Sequence, residues 1–162
     1  MKDYVDQGHM VRVSRPVVNQ KTNYLPHHSV RRPGDPADKI RVVFNASFKT
    51  NTGYSLNDLL LPGPRLQLDI DKVITRFRQD QYVFTADMRQ MFRQIMHNSQ
   101  DQDLLRIVWR FSPDSPIQDY ALSTVTYGTT SAPWLAGRVI KDLALSHEKS
   151  HPEVSHILNN RT

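Results

Sequence analysis

The sequence contains no cysteine, which excludes disulfides and thiolate-bound metals. No apolar run is long enough to cross a bilayer, and mean hydropathy is −0.55. The opening residues, Met-Lys-Asp-Tyr-Val-Asp, lack the apolar core of a secretory signal. The expectation is therefore an intracellular chain, cytoplasmic or nuclear, with no membrane partner. The sequons at Asn45 and Asn160 carry little weight without a signal. Internal repeats and low-complexity blocks are absent too, so the chain reads as one unit.

What is present is ordinary for a globular protein. The 162 residues are 38% hydrophobic and 23% charged, enough for one domain with a real core and unlike a disordered chain. Acidic residues are the scarcer charge: 16 against 21 basic ones, for a net charge of +5. Such an excess favours polyanions through counterion release. A merely soluble basic protein has the same composition, so charge alone leaves both readings open.

Along the chain, residues 1–23 are polar and mixed. Residues 24–32 (YLPHHSVRR) lie between prolines and read as extended. Pro33-Gly34-Asp35-Pro36 is a turn, and residues 40–44 (IRVVF) have strand composition. Together they predict a β-hairpin with Arg31, Arg32, Lys39 and Arg41 towards its tip. Residues 51–64 form a loop around a short apolar turn, 56–61. A helix is expected over 66–79, with Leu66, Ile70, Val73, Ile74 and Phe77 on one face. Residues 82–86 read as a short buried strand delivering Asp87. Residues 104–111 and 120–127 suggest a second hairpin, and 131–147 a helix that tolerates Pro133 in its first turn. The expected class is α+β, with mixed or antiparallel sheet and packed helices.

Two stretches carry chemistry. In Thr85-Ala86-Asp87-Met88-Arg89-Gln90-Met91-Phe92, a carboxylate at a strand end can present oxygens to a hard cation, and the aromatic five residues later can close over what the cation holds. An aspartate capping a turn gives the same pattern. In Thr126-Tyr127-Gly128-Thr129-Thr130-Ser131-Ala132-Pro133-Trp134, a glycine allows close backbone approach and small side chains leave room for a base or sugar. An ordinary strand–helix junction reads alike.

Taken together and in order, these segments resemble the reverse transcriptases of BEL/Pao-type LTR retrotransposons. The matching runs are YLPHHSV (24–30), KIRVVFNASFKT (39–50), GYSLNDLLLPGP (53–64), RFRQDQYVFTADMRQMFRQI (76–95), RIVWR (106–110) and TVTYGTTSAPWLAGR (124–138). The resemblance implies a fingers-like part over about 1–80 and a partial palm over 81–162. It makes Asp87 a catalytic ligand of Mg²⁺, the ion that activates a primer hydroxyl and neutralises charge on the transferring phosphate. It places the backbone of Met88, Arg89, Gln90 and Met91 along the sugar and triphosphate, and makes Phe92 the gate that selects deoxynucleotides. Lys39 and Arg41 grip the triphosphate, Tyr127 and Gly128 line the nucleotide pocket, and Gly53, Ser55 and Asn57 meet the template. The implied partners are an RNA or DNA template–primer and a dNTP.

Two departures stand out. Asn45 takes the place of an aspartate usual in this family, removing a charge beside Arg41. The family's Tyr/Phe-x-Asp-Asp hairpin is missing, since no Asp-Asp pair occurs in the chain. The expectation is a fragment of an RNA-directed DNA polymerase, inactive alone, with an unpaired strand edge and exposed apolar surface. A non-catalytic nucleic-acid-binding remnant using the basic hairpin is the alternative.

A different chemistry is spelled by His147-Glu148-Lys149-Ser150-His151, which fits the His-Glu-x-x-His pattern of zinc proteases. Pro152 biases His151 away from helical geometry. The flanks are polar, and a third ligand would have to be Glu153 or His156. His27 and His28 have no partner at metal spacing, and Trp109 and Trp134 read as core.

Overall fold

The computed structural model describes residues 1–14, 21–31, 40–79 and 81–160. The protein is α+β with antiparallel sheets. It divides into two compact units, each built from two stretches of chain: 1–61 with 92–132, and 62–91 with 133–162. No helix among the described residues is long and apolar enough to cross a membrane.

The first unit holds both sheets. β1 (Met10–Arg12), β4 (Arg106–Trp109) and β5 (Gln118–Leu122) form an antiparallel sheet in the order β1-β5-β4. β5 is central and buries Tyr120, Ala121 and Leu122 in succession, whereas the edge strand β4 alternates buried Ile107 with half-exposed Val108. The outer edge of β4 is covered by 23–25, because Arg106 N–H donates to the Asn23 carbonyl and Leu25 N–H donates to the Arg106 carbonyl. That occupies the outer edge at the start of β4.

The first hairpin forms where composition places it. β2 (His27–Arg31) pairs with β3 (Ile40–Phe44), with His27 opposite Phe44 and Val30 opposite Arg41. Only its base is anchored, through buried Phe44. The expected tip, including Arg32 and Lys39, lies outside the described residues. The core of this unit gathers Met10, Leu25, Phe44, Leu56, Ile107 and Leu122. Two elements went unforeseen in the polar N-terminal stretch, β1 and the short helix α1 (Lys2–Asp6).

α2 (Leu56–Leu59) replaces the expected apolar turn. Its start is a reciprocal cap: the Asp58 N–H donates to the Ser55 hydroxyl oxygen, and the Ser55 N–H donates to the Asp58 carboxylate at 2.8 Å. Those bonds hold Asp58 below the ordinary carboxylate pKa.

The second unit is helical: α3 (Ile70–Phe77), α4 (Ala132–Ser146) and α5 (Pro152–Asn160). Gly63 has φ +77°, and a Cβ there would stand 2.3 Å from Trp134 Cγ, so only glycine lets the chain cross that indole.

Two expectations are corrected here. α3 is shorter than 66–79 and buries no residue; Ile70 is 71% exposed. Its apolar stripe exists but stays largely open: Val73 is half-buried, while Ile70, Ile74 and Phe77 are exposed. Residues 82–86 form no strand, and Tyr82 and Phe84 are 86% and 90% exposed. A β-rich run becomes a strand only when a neighbour takes its backbone hydrogen bonds, and none does among the described residues.

Candidate functional site

In the first unit, the site grows from the pairing of two distant stretches. Val125 N–H donates to the Ile95 carbonyl and His97 N–H donates to the Ser123 carbonyl, both at 2.8 Å. This antiparallel register carries the 3₁₀ turn Met91–Gln94 alongside 126–128. Phe92 and Tyr127 meet there edge to face, with ring centroids 4.9 Å apart.

Gly128 follows with φ +96°, and a Cβ on it would lie 2.5 Å from the Phe44 carbonyl oxygen. Both the backbone angle and the space demand glycine. The Gly128 carbonyl accepts from the Asn57 amide at 2.9 Å. That amide also donates to Ser47 Oγ, while Asn57 Oδ1 accepts from Thr130 N–H at 2.8 Å. Asn57 thus clamps α2 to the 128–130 turn. Both of its amide hydrogens are engaged inside the protein, so its side chain holds the 128–130 turn in place. Ser55 is likewise committed to the cap and buried, while Gly53 is exposed with φ +82° and open space around it.

Behind Phe92 lies a residue that the sequence did not mark. Arg93 is 5% exposed and has no carboxylate partner among the described residues. Its guanidinium donates to Tyr4 Oη at 3.1 Å and to the Thr126 and Thr124 hydroxyls at 3.3 and 3.4 Å. It stacks 4.4 Å over the Tyr4 ring, with Phe44 and Tyr127 each 5.7 Å away. Burial lowers its pKa, and Tyr4 opposes that shift. A cation enclosed by aromatic faces and hydroxyls ties α1, β3 and the Tyr127 segment together. No spacing or charge pattern separates it from the chain's surface arginines.

Arg41 is exposed on β3 and makes no ion pair among the described residues. Lys39 lies outside the described residues. Exposed Asn45 accepts from Ser47 N–H at 3.1 Å, supporting its own turn.

Asp87 belongs to the second unit. It is exposed on a non-strand segment and leads into a turn closed by the Met91 N–H donating to the Met88 carbonyl at 3.3 Å. Gln90 in that turn has φ +53°, the only positive value at a non-glycine among the described residues. Left-handed backbone is unfavourable for an L residue, so strain sits within the stretch expected to run along a triphosphate. Met88 is half exposed and Arg89 fully exposed.

Comparison with protein-family models and with curated proteins finds no match. The site must therefore be judged on its own chemistry.

For Mg²⁺, that judgement is negative. A hard cation collects six or more oxygens, and two-metal phosphoryl chemistry needs several carboxylates. Among the described residues no group of three or more His, Cys, Asp or Glu could hold a metal ion. Asp87 alone does not fit a two-magnesium set.

His147 and His151 lie at the α4–α5 junction with ring centroids 6.4 Å apart. His147 Nδ1 pairs with the Leu143 carbonyl at 3.0 Å. The two rings line an apolar cavity of about 200 Å³ with Leu143, Val154 and Leu158. Neither Glu153 nor His156 completes a set of three with them.

Proposed function

We propose that this chain is the fingers and first palm portion of a reverse transcriptase of the BEL/Pao retrotransposon type. The observation that carries the reading is the Phe92–Tyr127 ring pair beside Gly128. Two motifs far apart in sequence converge on one wall, made of an aromatic face and a stretch of backbone that admits no Cβ. Such a wall suits a planar base and a ribose lacking its 2′-hydroxyl.

In this reading Phe92 is the sugar gate, Tyr127 and Gly128 line the nucleotide pocket, and Asn57 and Arg93 are positioning residues. Arg41 meets the triphosphate, a task that suits a forked guanidinium. Asp87 contributes one carboxylate to a magnesium site whose other ligands this sequence does not supply. The chain therefore binds nucleotide and template–primer but does not extend a primer by itself.

The test is an amide-resolved NMR titration with dTTP and with UTP, run beside primer extension on poly(rA). Shifts centred on Phe92, Tyr127 and Gly128, stronger for dTTP and equalised by Phe92→Ala, are expected, with no incorporation. Unmoved amides at saturating nucleotide would sink the pocket assignment. Extension by the 162-residue chain would sink the claim of inactivity.

The exposed β2–β3 ribbon carrying Arg31 and Arg41 favours a second reading, a non-catalytic nucleic-acid-binding remnant. Salt-sensitive template–primer binding without nucleotide-induced shifts would select it.

A further inference from the structure

The first unit has an open cleft of about 480 Å³ at the end of β4, apart from the Phe92–Tyr127 wall. The volume is within the range of small-ligand clefts, about 300–1,000 Å³. Its walls include His27, Trp109, Arg110, Phe111 and Ile117.

Phe111 is the unusual member. Its ring stands edge to face on Trp109 at 81° and on Tyr120 at 89°, with centroids 6.3 and 6.2 Å away, yet it remains 54% exposed. Two perpendicular neighbours hold the ring in place while more than half of it faces water. Exposing a fixed aromatic ring is unfavourable by the transfer energy of its surface. The arrangement is the one expected of a stacking platform.

Trp109 continues the aromatic surface to His27, with centroids 5.8 Å apart. The lining contains two basic side chains, His27 and Arg110, and no carboxylate. Arg110 is drawn across the β4–β5 turn by donating to the Pro113 carbonyl at 2.7 Å. Arg31 lies on the same face of β2 as His27, about 13 Å along the strand.

We infer that this cleft binds single-stranded nucleic acid, stacking one base on Phe111 and Trp109 while Arg110 takes the adjoining phosphate. Charge favours this occupant over an apolar peptide: the one formal charge in the lining is the Arg110 cation and the whole chain is +5. Rigid duplexes keep their bases stacked on each other and cannot offer a face. The inference needs only the first unit and stands whether or not Asp87 ever holds a metal.

The experiment is fluorescence anisotropy with labelled oligo(U) and oligo(dT), and with a duplex of equal length, on the full chain. Phe111→Ala is expected to weaken single-strand binding roughly tenfold, the scale of one lost stacking contact, and to leave duplex binding unchanged. Phe111→Leu, which keeps apolar volume without a π face, should show the same loss and guards against misfolding in the alanine variant. Arg110→Gln should flatten the log affinity–log salt slope by about 0.7. Equal binding by wild type and both Phe111 variants overturns the proposal, as does wild-type preference for duplex. Sedimentation showing self-association that Phe111→Ala abolishes, without oligonucleotide binding, would make the cleft a contact between copies and also overturn it.

Discussion

At Gly128 two independent constraints meet, a φ of +96° and a carbonyl oxygen 2.5 Å from where a Cβ would stand. Gly128→Ala should lose roughly 2–4 kcal/mol in urea unfolding, combining left-handed strain with overpacking. Gly53→Ala supplies the comparison, since φ is +82° but nothing lies within 4 Å. It should lose only about 1–2 kcal/mol. Equal losses at the two sites would show that the Phe44 carbonyl does not confine Gly128.

His97 brings a pH dependence. Burial holds its pKa below the ordinary 6.5; Asp101 opposes the shift and Arg93 adds to it. Its Nε2 is buried with no hydrogen-bond partner among the described residues. The folded state therefore resists taking up a proton that the unfolded chain accepts at its ordinary value. The stabilising effect is complete above pH 6.5 and is lost as pH falls from there through the lowered folded pKa. In His97→Gln, stability measured between about pH 7 and about pH 5 should vary less than in wild type. Parallel curves would exclude His97 as the source.

At the scale of elements, capping decides more than length. α2 has four residues and cannot persist on propensity alone. Its Ser55–Asp58 box and buried Leu56 hold it, and through Asn57 it holds the 128–130 turn. Ser55→Ala should destabilise the first unit by about 1 kcal/mol. It should also broaden the amide signal of Thr130, whose N–H is held by Asn57. A sharp, unshifted Thr130 would show that the clamp survives without the cap.

Both hairpins and α4 were readable from local pattern: β-branched runs bounded by prolines or turns, and an apolar stripe behind Pro133. α3 and residues 82–86 have equally good patterns but stay uncovered. Periodicity states which face can be buried and not whether a partner exists to bury it. β1 was illegible for the opposite reason. Its three residues, Met10-Val11-Arg12, are too short a run to signal a strand, and it is held by backbone pairing with β5 and by Met10 buried in the core.

For the molecule as a whole, net charge and the exposed ribbon set the expected response to salt. Template–primer affinity should fall linearly on a log–log plot, and Arg41→Gln should reduce the slope by about 0.9, the share of one duplex phosphate contact. An unchanged slope would remove Arg41 from the interface.

Much of the candidate site was legible as a list of residues and far less as an arrangement. Asp87, Phe92, Tyr127 and Gly128 stand out by their motifs. That Phe92 and Tyr127 touch follows from a register in which 95–97 pairs with 123–125, and register is a property of the folded backbone. That Asn57 is an internal clamp follows from hydrogen-bond partners in two separate stretches, Ser47 and the 128–130 turn.

The chain alone determined its basic charge, its freedom from thiol chemistry, the two hairpins and the absence of an Asp-Asp pair, since each depends on residue type or local pattern. Only the tertiary structure decided that Arg93 is enclosed among rings and hydroxyls, that Phe111 is pinned yet exposed, and that α3 keeps Ile70, Ile74 and Phe77 exposed. Burial and partnership arise when distant segments meet, and local sequence carries no record of which segments those are.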